Sequence, residues 1–167
     1  LREDVKFSNG QKMTSEDVVF SILRAKQPTS DFKEYISTIS GVKAIDDYTV
    51  QIKTSKPNPI LLNQLSNIFI MSKKWSEDNF VMSPQNWDAG QETFSATNAM
   101  GTGPFKITLR EPNTKTVFKK NNKWWGNVEH NLTEIHLLPI KNAATRVAAL
   151  LSGEIDVVTD APVQDLG

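Results

Sequence analysis

The residues best suited to chemistry cluster in the last third of the chain. Glu154 and Asp156 are a carboxylate pair, the residue types used in glycoside hydrolysis when both reach one sugar. Thr159 and Asp160 follow the apolar run Ile155–Val158 directly. Ligands of open α/β sheets gather beyond the carboxyl ends of strands, so Asp160 could meet a ligand amine in a charge-assisted hydrogen bond. It could equally be a solvated carboxylate at a strand end. Gly101-Thr102-Gly103 has the look of a phosphate cradle, but no Lys-Ser/Thr follows and the next stretch patterns as a strand, which excludes a P-loop. His130 and His136 lie six apart, a separation that does not put two imidazoles on one helical face for a metal. No serine stands in a G-x-S-x-G elbow. Trp124-Trp125 is an aromatic pair that reads as the cap of a hydrophobic core and less readily as a sugar platform.

The bulk composition narrows the classes further. Lys plus Arg and Asp plus Glu are 19 each, so the net charge is zero, and no basic excess draws the chain to nucleic acid. There is no cysteine, which removes disulfides, thiolate metal sites and cysteine nucleophiles. No apolar run approaches the roughly 20 residues of a membrane helix. The opening LREDVKF is charged and unlike a signal peptide. It starts abruptly in strand-like sequence, so we expect a piece of a longer protein, with any targeting segment outside it.

The patterning predicts the elements that would position these residues. Asn9-Gly10 is a turn, and Thr14 with Asp17 three residues on forms a capping-box pattern. A helix should run over about 15–26, with Val18, Val19, Ile22 and Leu23 on its apolar face, and stop before Pro28. Val42 and Ala44 alternate with polar neighbours, as do Val50 and Ile52, around Asp46-Asp47, which is a hairpin signal. The segment 59–72 reads as a helical turn leading into a short buried strand at 68–71, followed by a short helix near Trp75 and an irregular stretch to residue 100. A second hairpin is expected over 105–120, and a strand over 134–140. Asn142 should cap a helix with Ala144, Val147, Ala148 and Leu151 on its face and Gly153 at its end. With a strand at 155–158, this predicts a parallel strand–helix–strand unit.

Five stretches, in order, carry a family resemblance: LREDVKFSNGQKMTSEDVVFSI, VKAIDDYTVQI, GTGPFKI, NNKWWG and RVAALLSGEIDV. Together they resemble the large-class extracytoplasmic solute-binding proteins of ABC importers, the oligopeptide, dipeptide and nickel-type binding proteins. The resemblance implies a mixed α/β fold in which residues 1–98 are the small extra α+β domain of the dipeptide-binding type. Residues 99–167 would be a segment of the main periplasmic-binding-protein-like lobe. It implies a non-enzymatic binding protein, without a cofactor or bound metal of its own, that buries a peptide or similar small solute between two lobes and delivers it to membrane permease subunits. The site would be periplasmic or otherwise extracytoplasmic, on a cell-surface lipoprotein in a Gram-positive organism, with membrane contact only through the permease or a lipid anchor outside this chain. By resemblance, the segment holding Phe32 and Tyr35 faces the ligand cleft, and residues after the GEIDV strand, Thr159 and Asp160, approach the ligand. Gly101, Thr102 and Gly103 would form the crossover between lobes, their small size letting backbone pack closely or turn sharply. Alternatives are a nickel-chelate or sugar-binding member of the family, a hydrolase acting through carboxylates, and a sensor or interaction module on the same scaffold.

Overall fold

A computed structural model describes residues 1–90 and 92–162. The first long element is α1, Ser15–Ala25, and its start is built as the capping pattern predicts. The Asp17 carboxylate accepts the Thr14 backbone N–H at 2.8 Å and the Thr14 hydroxyl at 3.3 Å, satisfying a donor the helix leaves orphaned. The other oxygen of Asp17 accepts the Lys73 backbone N–H at 2.8 Å, 56 residues away. One buried carboxylate thus starts the helix and docks a distant segment on it.

The apolar face of α1 is centred on Val18, Ile22 and Ala25, which pack with Ile36, Ile39 and Ile68. Leu23, expected in that face, points to solvent, and Phe20 is buried instead. Beside it runs a hairpin of β1, Ile39–Asp46, and β2, Thr49–Thr54, with Val42 opposite Ile52 and Ala44 opposite Val50. The expected strand at 68–71 does not form. Its Met71 N–H donates to the Ser21 hydroxyl at 2.9 Å, and no ladder includes the stretch. A helix side chain supplies the partner that a neighbouring strand would otherwise provide. Two short helices flank it: α2, Leu61–Leu65, and α3, Lys73–Asp78, the latter capped by Ser72 accepting the Trp75 N–H at 3.2 Å.

In the tight turn of the first hairpin, Asp46 accepts the Tyr48 N–H at 2.9 Å. That bond, with a smaller contribution from the Thr49 side chain, holds the Asp46 carboxyl below its ordinary value. A carboxylate depressed in the folded state stabilises it at neutral pH and loses that contribution as pH falls from the ordinary carboxylate range towards the folded value. The melting temperature of Asp46→Asn should therefore fall less than that of the parent between about pH 5 and pH 3. Parallel melting curves across that range would show that the turn bond does not couple to folding.

A second, three-stranded antiparallel sheet follows in the order β3-β4-β5: Phe105–Glu111, Lys115–Lys120 and Glu134–Leu137. The last strand stops three residues short of the expected Ile140. The final helix α4, Ala143–Ser152, is capped as predicted, with Asn142 accepting the Thr145 N–H at 3.0 Å and Gly153 left-handed at φ 76°. Its packed face differs from the expected one: Ala149 is buried, while Ala144 and Ala148 are exposed and Leu151 is 83% exposed. Apolar residues lie on nearly every side of this helix, so periodicity alone does not choose which side packs.

Residues 155–158 form no strand, and the parallel strand–helix–strand unit is absent among the described residues. A strand exists only against a partner edge, and no described segment offers one here. Arg146 holds the region instead, donating to the carbonyls of Ile140 at 2.8 Å and Asp160 at 2.9 Å.

Residues 1–13 join the two halves of the chain. Lys6 bridges Lys12 around a turn at Gly10, whose φ of 93° favours glycine. Val5, Phe7 and Met13 are buried together against Ile70, Met100 and Trp125. The Ser8 N–H donates to the Gly101 carbonyl at 2.9 Å. Among the described residues no helix is long and apolar enough to cross a membrane.

Candidate functional site

The chain reaches Phe32 and Tyr35 through a short 3₁₀ turn, Lys33–Ile36. Ile36 is fully buried and pins the turn to the core, while Phe32 and Tyr35 stand 41% and 42% exposed. Their rings lie 6.3 Å apart, tilted by 34°. Ser30, itself buried, fixes the approach by accepting the Phe32 N–H at 3.2 Å. This is an exposed aromatic pair on a rigid base, which is the form a recognition surface takes when flat apolar area must be presented at little entropic cost.

Phe32 lines a cleft of about 310 Å³ between the end of α1 and the loops after α3, with Arg24, Ser30, Gln85, Trp87 and Ser95. A smaller recess of about 110 Å³ on its other side is bounded by Ser21, Asn67 and Phe69. Trp87 and Phe69 are 66% and 77% exposed, and the sequence singles out neither. Phe69 sits in an apolar run that patterns as buried strand, and Trp87 in a polar loop without periodicity. A larger opening of about 420 Å³ between α1 and β2 is walled mainly by Val18, Ile22, Val50, Ile52 and Ile68. Its walls continue the core.

Thr159 and Asp160 are exposed and adjacent, the hydroxyl donating to the Asp160 carboxylate at 3.4 Å. The Asp160 carbonyl is held by Arg146, and its carboxylate makes no ion pair among the described residues. The structure brings Phe32 to Tyr35 and Thr159 to Asp160. Neither of the clefts lined by Phe32 includes Thr159 or Asp160.

The 101–103 segment has a different character from the one expected. Neither Gly101 nor Gly103 has positive φ. A Cβ would meet nothing within 4 Å at Gly101, and only the Phe105 carbonyl at 3.8 Å at Gly103, so neither close packing nor a sharp turn requires glycine there. The segment instead presents a row of acceptors. The Gly101 carbonyl receives Ser8, the Thr102 carbonyl receives the Trp125 indole N–H at 3.0 Å, and the Gly103 carbonyl receives the Asn121 amide at 3.0 Å. Trp125 is partly buried against the Val5, Phe7 and Met13 cluster, with the Arg2 guanidinium 4.5 Å from its ring centroid. Gly126 is required by contact, because a Cβ there would lie 2.7 Å from the Trp124 ring.

The histidines have structural surroundings. His136 pairs with Glu134, which also meets Lys119 at 3.3 Å. His136 first and Lys119 second hold the Glu134 carboxyl below its ordinary value. The His130 ring stacks on Phe105 at 4.9 Å. No group of three metal-ligating side chains occurs among the described residues. Glu154 and Asp156 are both exposed on irregular chain.

The family described as bacterial extracellular solute-binding proteins, family 5 Middle, matches residues 1–167. The periplasmic oligopeptide-binding protein OppA of Salmonella typhimurium is 27% identical over 177 residues, covering 94% of this chain and 31% of that protein. The nickel-binding protein NikA of Staphylococcus aureus is 28% identical over 163 residues, covering 98% of this chain and 30% of that protein. Among solved structures, MoaA from A. tumefaciens R10 in complex with mannopinic acid superposes with a TM-score of 0.76 at 31% identity, over 93% of this chain and 30% of that one. The chain spans about a third of the length of the relatives it matches. With the match running from its first residue to its last, the chain belongs to the bacterial extracellular solute-binding proteins of family 5.

Proposed function

We propose that this chain is part of the extracytoplasmic substrate-binding component of an ABC importer, which encloses a peptide or similar small solute between lobes and delivers it to a membrane permease. The carrying observation is the family match over residues 1–167, reinforced by the peptide-binding relative. Residues 1–98 act as the small extra domain and 99–167 as a segment of the main lobe, with Gly101, Thr102 and Gly103 at the crossover. Phe32 and Tyr35 contribute flat apolar contact and a phenol, and Thr159 and Asp160 polar contact with a ligand amine. The protein captures and releases its solute unchanged, and closure depends on hinge motion between lobes. Its place is the periplasm or the outer cell surface.

Mass spectrometry of solute co-purified with the full-length protein tests this directly, and peptides are expected. Sugars alone or bare metal would overturn the peptide assignment, and a nickel chelate would place the protein with the nickel-binding relative. For the site, Tyr35→Ala and Asp160→Ala should each weaken solute binding about tenfold without lowering the melting temperature, since both side chains are exposed. Unchanged affinity in both variants would remove these residues from the pocket.

A further inference from the structure

We propose that the cleft between the end of α1, the 29–32 loop, the loop residues Pro84, Gln85 and Trp87 and the 3₁₀ turn Phe94–Ala96 is a binding site for a small aromatic carboxylate. Three residues that line the cleft each carry a side-chain donor without a partner among the described residues. Gln85 is more than nine-tenths buried and lines the cleft. Its side-chain oxygen accepts both the backbone N–H and the hydroxyl of Thr93, at 3.4 and 3.3 Å. The backbone N–H can only donate, so the amide orientation is fixed and Nε2 is left as the free end. Ser30 is also buried and lines the cleft. Its oxygen accepts the Phe32 N–H, which leaves its own hydroxyl hydrogen uncommitted.

The third donor carries the charge. Arg24 donates through Nε to the Val81 carbonyl at 3.1 Å and through Nη2 to the Ser83 carbonyl at 3.0 Å. Its Nη1 bonds nothing among the described residues, and Arg24 makes no ion pair with them. Burial alone pushes the guanidinium below its ordinary value, with no carboxylate acting to raise it. A half-desolvated cation without a counter-ion is costly, and an arriving carboxylate would relieve that cost through charge-assisted bonds.

The remaining walls specify the rest of the ligand. Phe32 and Trp87 line the same cleft and are both substantially exposed, so they offer ring faces for a flat apolar group. Asp31 also borders the cleft, which disfavours a second negative charge and selects a monoanion. The volume of about 310 Å³ suits a compact ligand at the lower end of small-molecule sites. This inference shares Phe32 with the transport reading but does not rest on it, since it requires only the cleft.

Titrating phenylacetate into the full-length protein, followed by calorimetry, tests it, with phenylacetamide as the neutral comparison. Gln85→Glu keeps the acceptor that Thr93 needs and turns the free donor into a negative oxygen. It should weaken phenylacetate at least about tenfold while leaving phenylacetamide nearly unchanged. Trp87→Ala removes an exposed ring and should weaken both probes. If Gln85→Glu does not fold, Trp87→Ala decides alone. Weaker phenylacetate binding in either folded variant supports the site. Equal affinity in every folded variant, or no saturable phenylacetate binding to the parent protein by ~10 mM, overturns it. Co-purified solute whose affinity ignores both variants occupies other surface and leaves the transport reading standing.

Discussion

Asp17→Ala should destabilise the protein by about 3 kcal/mol or more, the largest effect expected of any single polar substitution here. The side chain is buried and its two oxygens receive two backbone donors, Thr14 N–H and Lys73 N–H. Truncation orphans both, and a buried donor without a partner costs about 1–3 kcal/mol, while loss of the cap costs about 1 kcal/mol. Asp17→Asn keeps one acceptor and turns an amide towards the other N–H, so it should fall between Asp17→Ala and the parent. Glu16→Ala is the contrast. Glu16 pairs with Lys73 at 3.0 Å, but both side chains are well exposed, so its loss should change stability by less than about 1 kcal/mol. Denaturant titrations of the three variants test the ordering. Equal losses for Asp17→Ala and Glu16→Ala would show that the carboxylate does not join the two helix starts.

Phe7→Ala should cost about 3–5 kcal/mol. The ring has no solvent exposure and sits with Val5 and Met13 against Ile70, Met100 and Trp125. These residues come from the amino-terminal segment, the stretch before α3, the segment before β3 and the loop after β4, so the cavity would open where separate parts of the chain meet. Removing the ring takes away both its transfer free energy and its contacts. Against a total stability of about 5–15 kcal/mol for a domain, that loss should lower the melting temperature by many degrees. Phe7→Leu fills most of the space and should recover most of the difference. A melting temperature within a degree or two of the parent's for Phe7→Ala would show that this cluster contributes little.

Local rules make some of this structure legible in the sequence, and long-range partners hide the rest. The α1 cap, both hairpins and the Asn142 and Gly153 ends of α4 follow from residues within a few positions of one another, and the structure has them. The two missing strands turned on partners outside their own neighbourhood. Met71 bonds a helix hydroxyl in place of a neighbouring strand, and 155–158 have no edge to pair with among the described residues. The two glycines at 101 and 103 suggest steric need, yet the segment's role is to offer carbonyls to Ser8, Asn121 and Trp125. In the candidate site, Phe32 and Tyr35 draw attention as aromatics in a polar stretch. The donors of Arg24, Ser30 and Gln85 that lack partners among the described residues are invisible until the backbone shows what each already bonds.

The bond from Ser8 to Gly101 bears on how the protein is made. Translation delivers the first residues well before their partners, and 93 positions separate these two. At roughly 5–20 residues per second, roughly 6 to 24 seconds separate the synthesis of Val5 and Phe7 from that of Trp125, the last of the residues that cover them. During that interval Val5, Phe7 and Met13 lack partners that bury them, so this cluster closes only once residues up to Trp125 have been made.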